Sequence, residues 1–279
     1  MIICVTTLEQ FAAWLQAEEK SPATAEKYRR EAAHFVRWLG DRPLNREAVQ
    51  AYKEELTACR TAAGVNGAVA ALNALFAFLG APECRLKAVR VQRQIFRDEA
   101  RELTGKEYRR LLAAARARKS ERLLLVMETI CATGIRVSEL RSFTVEAVRS
   151  GRAEVTNKGK TRTVFLPGKL RKVLLQYARA RGISAGPVFV TRGGRPLDRS
   201  NIWHEMKALC REAGVAEGKV FPHNLRHLFA RTYYGLEKDI VRLADILGHS
   251  SINTTRIYTM ESGRTHRRQL ERMRLVIIE

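Results

Sequence analysis

Acidic residues, cysteines and long apolar runs are all scarce in this 279-residue sequence, and each shortage removes a class of protein. The five cysteines, Cys4, Cys59, Cys84, Cys131 and Cys210, are odd in number, widely spaced and contain no Cys-x-x-Cys. That argues against a disulfide framework and a zinc ribbon and fits a reducing compartment, with the thiols expected as small core residues. No apolar run reaches about 18 residues, the length a membrane-spanning helix needs. No basic segment followed by a long apolar stretch opens the chain, so no signal peptide is expected, and the protein is expected in the cytoplasm. There is no internal repeat and no low-complexity tract. Asp198, Asp239 and Asp245 form no carboxylate pair, so no acidic metal cluster is expected.

What is abundant is positive charge. Fifty Lys and Arg against 29 Asp and Glu give a net charge of +21. Such a field favours polyanions, nucleic acid above all; the bland alternative is a merely solubilising surface. The excess is +3 over residues 1–101 and +18 over residues 102–279, so the strongly basic part is the larger, C-terminal one.

The length suggests two domains, at roughly 100–200 residues each. The first reads as four short amphipathic helices. Thr6-Thr7-Leu8-Glu9 resembles a capping box opening a helix through Leu15, and Ser21-Pro22 an N-cap with Pro at the first helical position. Tyr28, Ala32, Phe35, Val36 and Leu39 follow at helical spacing up to Gly40. Asn45 caps a third helix carrying Val49, Tyr52 and Leu56, and a fourth runs from about Val65 to Leu79. Residues 83–103 read as a basic linker after the helix-breaking Pro82. Its Arg90, Arg93 and Arg97 are expected to lie along a DNA backbone, the alternative being a solvated tether.

A second domain opens at the capping-box pattern Thr104-Gly105-Lys106-Glu107 and continues to residue 279. Helices are expected near 105–117, 121–132, 168–181, 198–213, 222–234 and 238–247. Alternation in 152–156 and 161–166 around the tight turn Asn157-Lys158-Gly159-Lys160 predicts a β-hairpin, and Val188–Thr191 a short strand. Lys160 and Arg162 of the hairpin are expected DNA contacts.

Five segments could carry chemistry. Thr133-Gly134-Ile135-Arg136-Val137-Ser138-Glu139-Leu140 presents Arg136 at a helix start, where a guanidinium can clamp a phosphate with two parallel hydrogen bonds. Glu139 either orients Arg136 or is a solvated helix-start residue. The hairpin tip offers Lys158 or Lys160; a lysine there can reach a bound phosphodiester, although most turn lysines are merely solvated. His223, Arg226 and His227 of Pro222-His223-Asn224-Leu225-Arg226-His227 share one helix face. Asn224 stands where a His-Glu-x-x-His zinc motif needs Glu, and Arg226 would repel a cation, so a phosphate suits this face better than a metal. One of the two histidines, His227, is expected simply to satisfy a buried hydrogen bond. His249 follows a helix-ending Gly248, and nine residues later comes Tyr258, which alone would read as a half-buried core tyrosine.

Singly these are weak signals; their order is specific. TGIRVSEL, NKGK, HNLRH and LGHSSINTTRIY together resemble the tyrosine recombinase (phage integrase) family over Thr104 to Thr259, and SPATAEKYRREAAHFVRWLG resembles the second helix of that family's core-binding domain. The resemblance implies a mainly α fold with a small β-sheet: an N-terminal four-helix core-binding (SAM-like) domain over residues 1–82 and a mixed α/β catalytic domain. It implies Arg136, Lys158, His223, Arg226, His249 and Tyr258 as catalytic residues, Lys158 being favoured over Lys160 by its place at the tip. Tyr258 would be the nucleophile in a 3′-phosphotyrosyl intermediate, Arg136 and Arg226 would hold the non-bridging oxygens, and Lys158 would protonate the leaving 5′ oxygen. His223 would manage the tyrosine proton and His249 hydrogen-bond the phosphate. Neither metal nor cofactor is implied. The partners implied are double-stranded DNA with inverted half-sites and further copies of the chain, four on two paired sites, exchanging strands through a Holliday junction. The basic tail 265–279 docks either on a neighbouring copy or on its own domain. A non-catalytic DNA binder and a type I topoisomerase are the competing classes. The roughly 100 residues ahead of the catalytic segment leave no room for an additional arm-binding domain, which tilts the expectation toward a simple recombinase.

Overall fold

The computed structural model describes residues 5–91, 98–157, 159–191, 193–260 and 263–273. The chain divides into two compact units, Met1–Arg93 and Gln94–Glu279. Among the described residues no helix is long and apolar enough to cross a membrane.

The first unit holds four helices, α1 (Val5–Ala17), α2 (Pro22–Leu39), α3 (Arg46–Cys59) and α4 (Ala62–Phe78). Each of the last three opens on a side-chain cap: Ser21, Asn45 and Thr61 accept from the amides of Thr24, Ala48 and Gly64. Such caps satisfy donors that the helix itself cannot, and each contributes about 1 kcal/mol. Capped by Thr61, α4 starts at Ala62, three residues before the expected Val65. Phe11, Leu15, Phe35, Leu39, Leu72, Leu75 and Phe76 fill the core, all at most 2% exposed. After a 3-10 turn at Pro82–Cys84 the chain does not leave this unit at once. Asn73 of α4 donates to the Leu86 carbonyl (2.9 Å) and accepts from its amide (2.8 Å). Asn66, two turns earlier on the same helix, does the same for Val89 at 2.9 and 2.7 Å. The first part of the segment read as a linker is therefore strapped along α4, with Arg90 exposed. Arg93 and Arg97 lie outside the described residues.

The second unit begins with α5 (Gly105–Ala117), whose Thr104–Glu107 capping box forms as its sequence suggests. The apolar α6 (Glu121–Thr133) is central, buries Leu123 through Met127 and Ile130, and packs on α11 (Pro222–Glu237). A 3-10 segment, Val137–Ser142, leads to α7 (Val145–Ser150) and then to the hairpin β1 (Arg152–Asn157) and β2 (Lys160–Phe165). The strands are antiparallel, with Val155 opposite Arg162 and Asn157 opposite Lys160. Gly159, just before β2, has a positive φ of 75°, as tight hairpin connections favour. Then follow α8 (Gly168–Ala180), α9 (Arg199–Ala208), α10 (Cys210–Ala213), α11, α12 (Ile240–Leu247), α13 (Ile252–Thr255), a 3-10 turn at Arg256–Tyr258, and α14 (Gly263–Met273).

Three expectations need correction. Val188–Thr191 is not a strand: it contributes only an isolated bridge, Val190 to Pro196, beside a second at Thr144 and Pro187. Pro187 and Pro196 lack the N–H groups a continued ladder requires. The helix expected over 198–213 divides at Leu209, whose amide bonds back only three residues, to Met206 (3.1 Å). The helix expected to end at residue 234 continues to Glu237 and stops where Lys238 adopts a left-handed φ of 56°.

Gly134 ends α6 with φ 66° and sits against α11 and α12; a Cβ there would lie 2.4 Å from Phe229 Cδ1 and 3.1 Å from Leu247 Cδ2. Backbone strain and overpacking act together, so Gly134→Ala should destabilise the protein by about 2–4 kcal/mol, read from urea denaturation.

Candidate active site

Arg136 is placed by the turn after α6. Its backbone amide donates to Glu139 Oε2 (2.8 Å) and its Nη1 to Glu139 Oε1 (3.1 Å). Glu139 is 2% exposed, so a charge there requires strong partners. Arg162 supplies them as a fork, Nη1 and Nη2 donating to Oε1 and Oε2 at 2.9 Å each. Burial pushes the Glu139 carboxyl upward, but the hydrogen bonds and charges of Arg162 and Arg136 outweigh it and hold the carboxyl below its usual range.

Arg226 lies on α11 and is 1% exposed. Nη1 donates to the Gly134 carbonyl (2.6 Å), and Nη2 to the Leu247 carbonyl (2.8 Å) and to His249 Nε2 (3.0 Å). Its Nε is buried without a hydrogen-bond partner among the described residues. Burial first, then repulsion from Arg136, lowers its pKa to about 10, which still leaves it cationic at neutral pH. Because an arginine can only donate, His249 Nε2 must accept, and His249 Nδ1 must carry the proton it shares with Thr255 Oγ1 (2.8 Å). Thr255 itself is fully buried.

Tyr258 is 4% exposed and packs with Ala230, Leu243 and Leu247. Its ring lies between two imidazoles, near-parallel to His249 with centroids 6.0 Å apart and edge-on to His227 at 4.9 Å. His223 remains exposed at the start of α11, its ring 4.6 Å from that of His227. Arg136, His223, Arg226, His249 and Tyr258 thus gather around the start of α11 and the C-terminal end of α12. Lys158 lies outside the described residues.

Two expectations change here. His227 does not satisfy a buried hydrogen bond through Nε2, which is buried without a partner among the described residues, beside the rings of His223 and Tyr258. Arg162, expected as a DNA contact, lines the cleft but spends all three of its guanidinium nitrogens inside the fold, Nε on the Ile246 carbonyl (3.0 Å) and the other two on Glu139. Lys160 is exposed and donates to Ser250 Oγ (3.0 Å) across a cleft of about 520 Å³, whose walls include Arg136, Asn157, His249 and Thr254.

Burial, followed by Arg226, Arg136 and Arg162, lowers the pKa of His249 to about 4; burial, followed by His223, Arg231 and Arg226, lowers that of His227 to about 3. Both rings are neutral at pH 7. Unfolded, each would titrate near 6.5, so below that pH the unfolded chain binds more protons than the folded one. Their contribution to stability is complete above pH 6.5 and declines as pH falls toward 4 and 3. The melting temperature should therefore drop from pH 7 to pH 4, and less steeply in His249→Gln, as followed by circular dichroism.

The chain matches the phage integrase family over residues 101–264 and the phage integrase N-terminal SAM-like domain over residues 8–82. It is 30% identical over 278 residues to the tyrosine recombinase XerA of Pyrococcus furiosus, covering 96% of this chain and 94% of that relative. A lambda integrase(75-356) dimer bound to a COC′ core site is similar with a TM-score of 0.76 at 20% identity, over 94% of this chain and 96% of that one. A lambda integrase tetramer bound to a Holliday junction is similar with a TM-score of 0.71 at 19% identity, over 91% and 76%. These last two likenesses show the shared fold. The chain belongs to the phage integrase family and is a tyrosine-type, DNA-binding site-specific recombinase.

Proposed function

We propose that the protein cleaves and rejoins duplex DNA through Tyr258, with Arg136, Lys158, His223, Arg226 and His249 as its catalytic partners. A phosphodiester resists attack because its charged oxygens repel nucleophiles and its alkoxide leaves poorly; fixed cations and proton transfer answer both. The Tyr258 oxygen forms a bond to the scissile phosphorus, and the bond from phosphorus to the 5′ oxygen breaks. The product is a 3′-phosphotyrosyl and a free 5′ hydroxyl. Arg136 and Arg226 hold the non-bridging oxygens, Lys158 gives its proton to the leaving oxygen, and His223 takes part in moving the phenol proton. Rejoining reverses these steps with a 5′ hydroxyl as nucleophile and needs no nucleotide, because the phosphoester is conserved.

The observation that carries this reading is the contact between the Tyr258 ring and His249, whose Nε2 is hydrogen-bonded to Arg226. Tyr258 is buried, so attack requires the short segment from Ile252 to Tyr258 to turn its phenol toward the cleft. His249 can donate to a phosphate oxygen through Nε2 only after giving up its bond from Arg226 and taking up a proton at Nε2, so an arriving phosphate changes both the partner and the protonation of the imidazole.

The protein acts on inverted half-sites, as four copies on two paired sites, and exchanges strands through a Holliday junction. The lambda integrase tetramer on such a junction supports this by fold. Leu270 and Met273 of α14, 54% and 55% exposed, support docking of the tail on a neighbouring copy, with 274–279 outside the described residues. Integration or excision of a mobile element and resolution of dimers are tasks this chemistry serves.

A panel of duplexes, each nicked at a different position so that the short cleaved strand diffuses away, tests the reading. The protein should accumulate a covalent adduct on some of them in excess EDTA, since Arg and Lys charges take the part a metal ion plays in nucleases. A pure DNA binder gives no adduct, and a topoisomerase gives an adduct without products that join two duplexes.

A further inference from the structure

We infer that Arg162 is a positioning residue for the cleavage reaction, acting through Glu139 on Arg136 and through the end of α12 on His249. The inference rests on the functional reading above and replaces the DNA contact that the sequence suggests for this residue.

Arg162 joins three segments. It stands on β2, opposite Val155, four residues beyond Lys158. Its fork takes both oxygens of Glu139, the carboxylate that also receives the amide and Nη1 of Arg136. Its Nε takes the carbonyl of Ile246, in the last turn of α12 and three residues before His249. The stem packs on the backbone there: at Gly248, with φ 65°, a Cβ would meet Arg162 Cδ at 2.9 Å. One guanidinium thus fixes the relative positions of the hairpin, the Arg136 turn and the His249 loop.

The arrangement also divides labour between two arginines. Glu139 needs a countercharge because it is buried, and Arg162, whose side chain is only 14% exposed, provides it bidentately. The Arg136 side chain, 28% exposed, engages the carboxylate through Nη1 alone among the described residues. Its remaining donors are left for a ligand. Without Arg162, Glu139 would draw Arg136 inward as its main countercharge, and the guanidinium would turn from the cleft. Misplacement of a reacting group by about 1 Å can cost about 100-fold in rate.

The test uses a duplex enriched from random-sequence DNA on the full-length Tyr258→Phe protein, in intact form for affinity and as the nicked panel for single-turnover adduct formation. For Arg162→Ala, the dissociation constant and its salt dependence should match those of the unsubstituted protein, while the adduct rate at saturating DNA falls about 100-fold. Methylguanidinium should restore that rate at least about tenfold over matched sodium chloride, and should not stimulate the unsubstituted protein. Arg162→Lys, which keeps the charge but not the fork, carries the test if the alanine variant does not fold. It should also lose rate at unchanged affinity. Weaker binding with a salt slope smaller by about one and an unchanged rate at saturation would make Arg162 a phosphate contact and overturn the inference. So would rates equal to those of the unsubstituted protein. No adduct from the unsubstituted protein on any nicked duplex would instead bring down the functional reading, and this inference with it.

Discussion

Tyr258→Phe should bind DNA as tightly as the unsubstituted protein and form no covalent adduct at all. The ring that packs on Ala230, Leu243 and Leu247 and between His227 and His249 is unchanged by the substitution. Folding stability should therefore move by less than about 1 kcal/mol. What disappears is the only oxygen on that side chain, and with it the proposed bond to phosphorus. Denaturing electrophoresis on nicked duplexes, with affinity measured in parallel, separates the two effects. Adduct persisting at the unsubstituted level would reject Tyr258 as nucleophile, and a loss of affinity matching the loss of adduct would reduce it to a binding residue.

Arg226→Lys should be the second most damaging change, for a reason visible in its contacts. The guanidinium reaches Gly134, Leu247 and His249 at once from a site that is 1% exposed. An ammonium is a point charge and cannot reproduce that fan of donors. At least one buried carbonyl loses its partner, costing about 1–3 kcal/mol of stability. Loss of a preorganised donor to the transition state should slow adduct formation at saturating DNA by about 100- to 1000-fold. A variant that keeps its rate within about tenfold, with the stability loss confirmed in urea, would show Arg226 to be a strut between α6 and α12 rather than a catalytic group.

Much of this was legible in the sequence because its local rules agree with the fold. Ser21, Asn45 and the Thr104–Glu107 pair cap helices where their side chains imply, and the hairpin forms in the place its alternation predicts. Arg136, His223, Arg226, His249 and Tyr258 converge although more than 120 residues separate the first from the last. What was not legible depends on partners distant in the chain. Arg162 looks like a surface cation on an edge strand, yet it shares a strand face with Val164 and lies opposite Val155, both buried. Period-2 alternation could have flagged it as inward-facing. Nothing local signals that Glu139 would be its partner, because that pairing spans 23 residues and a change of element. The orphaned His227 Nε2 is equally silent in sequence, since it arises from two rings crowding one imidazole.

The lowered pKa of Arg226 carries one more consequence. Its proton is loosened by burial first and then by the charge of Arg136, which Glu139, itself paired with Arg136 and Arg162, only partly offsets. Linkage is reciprocal: whatever free energy the pair loses by mutual repulsion is available to any oxyanion that settles between them. The repulsion held in the fold between Arg136 and Arg226 thus has the sign and location that suit a phosphate.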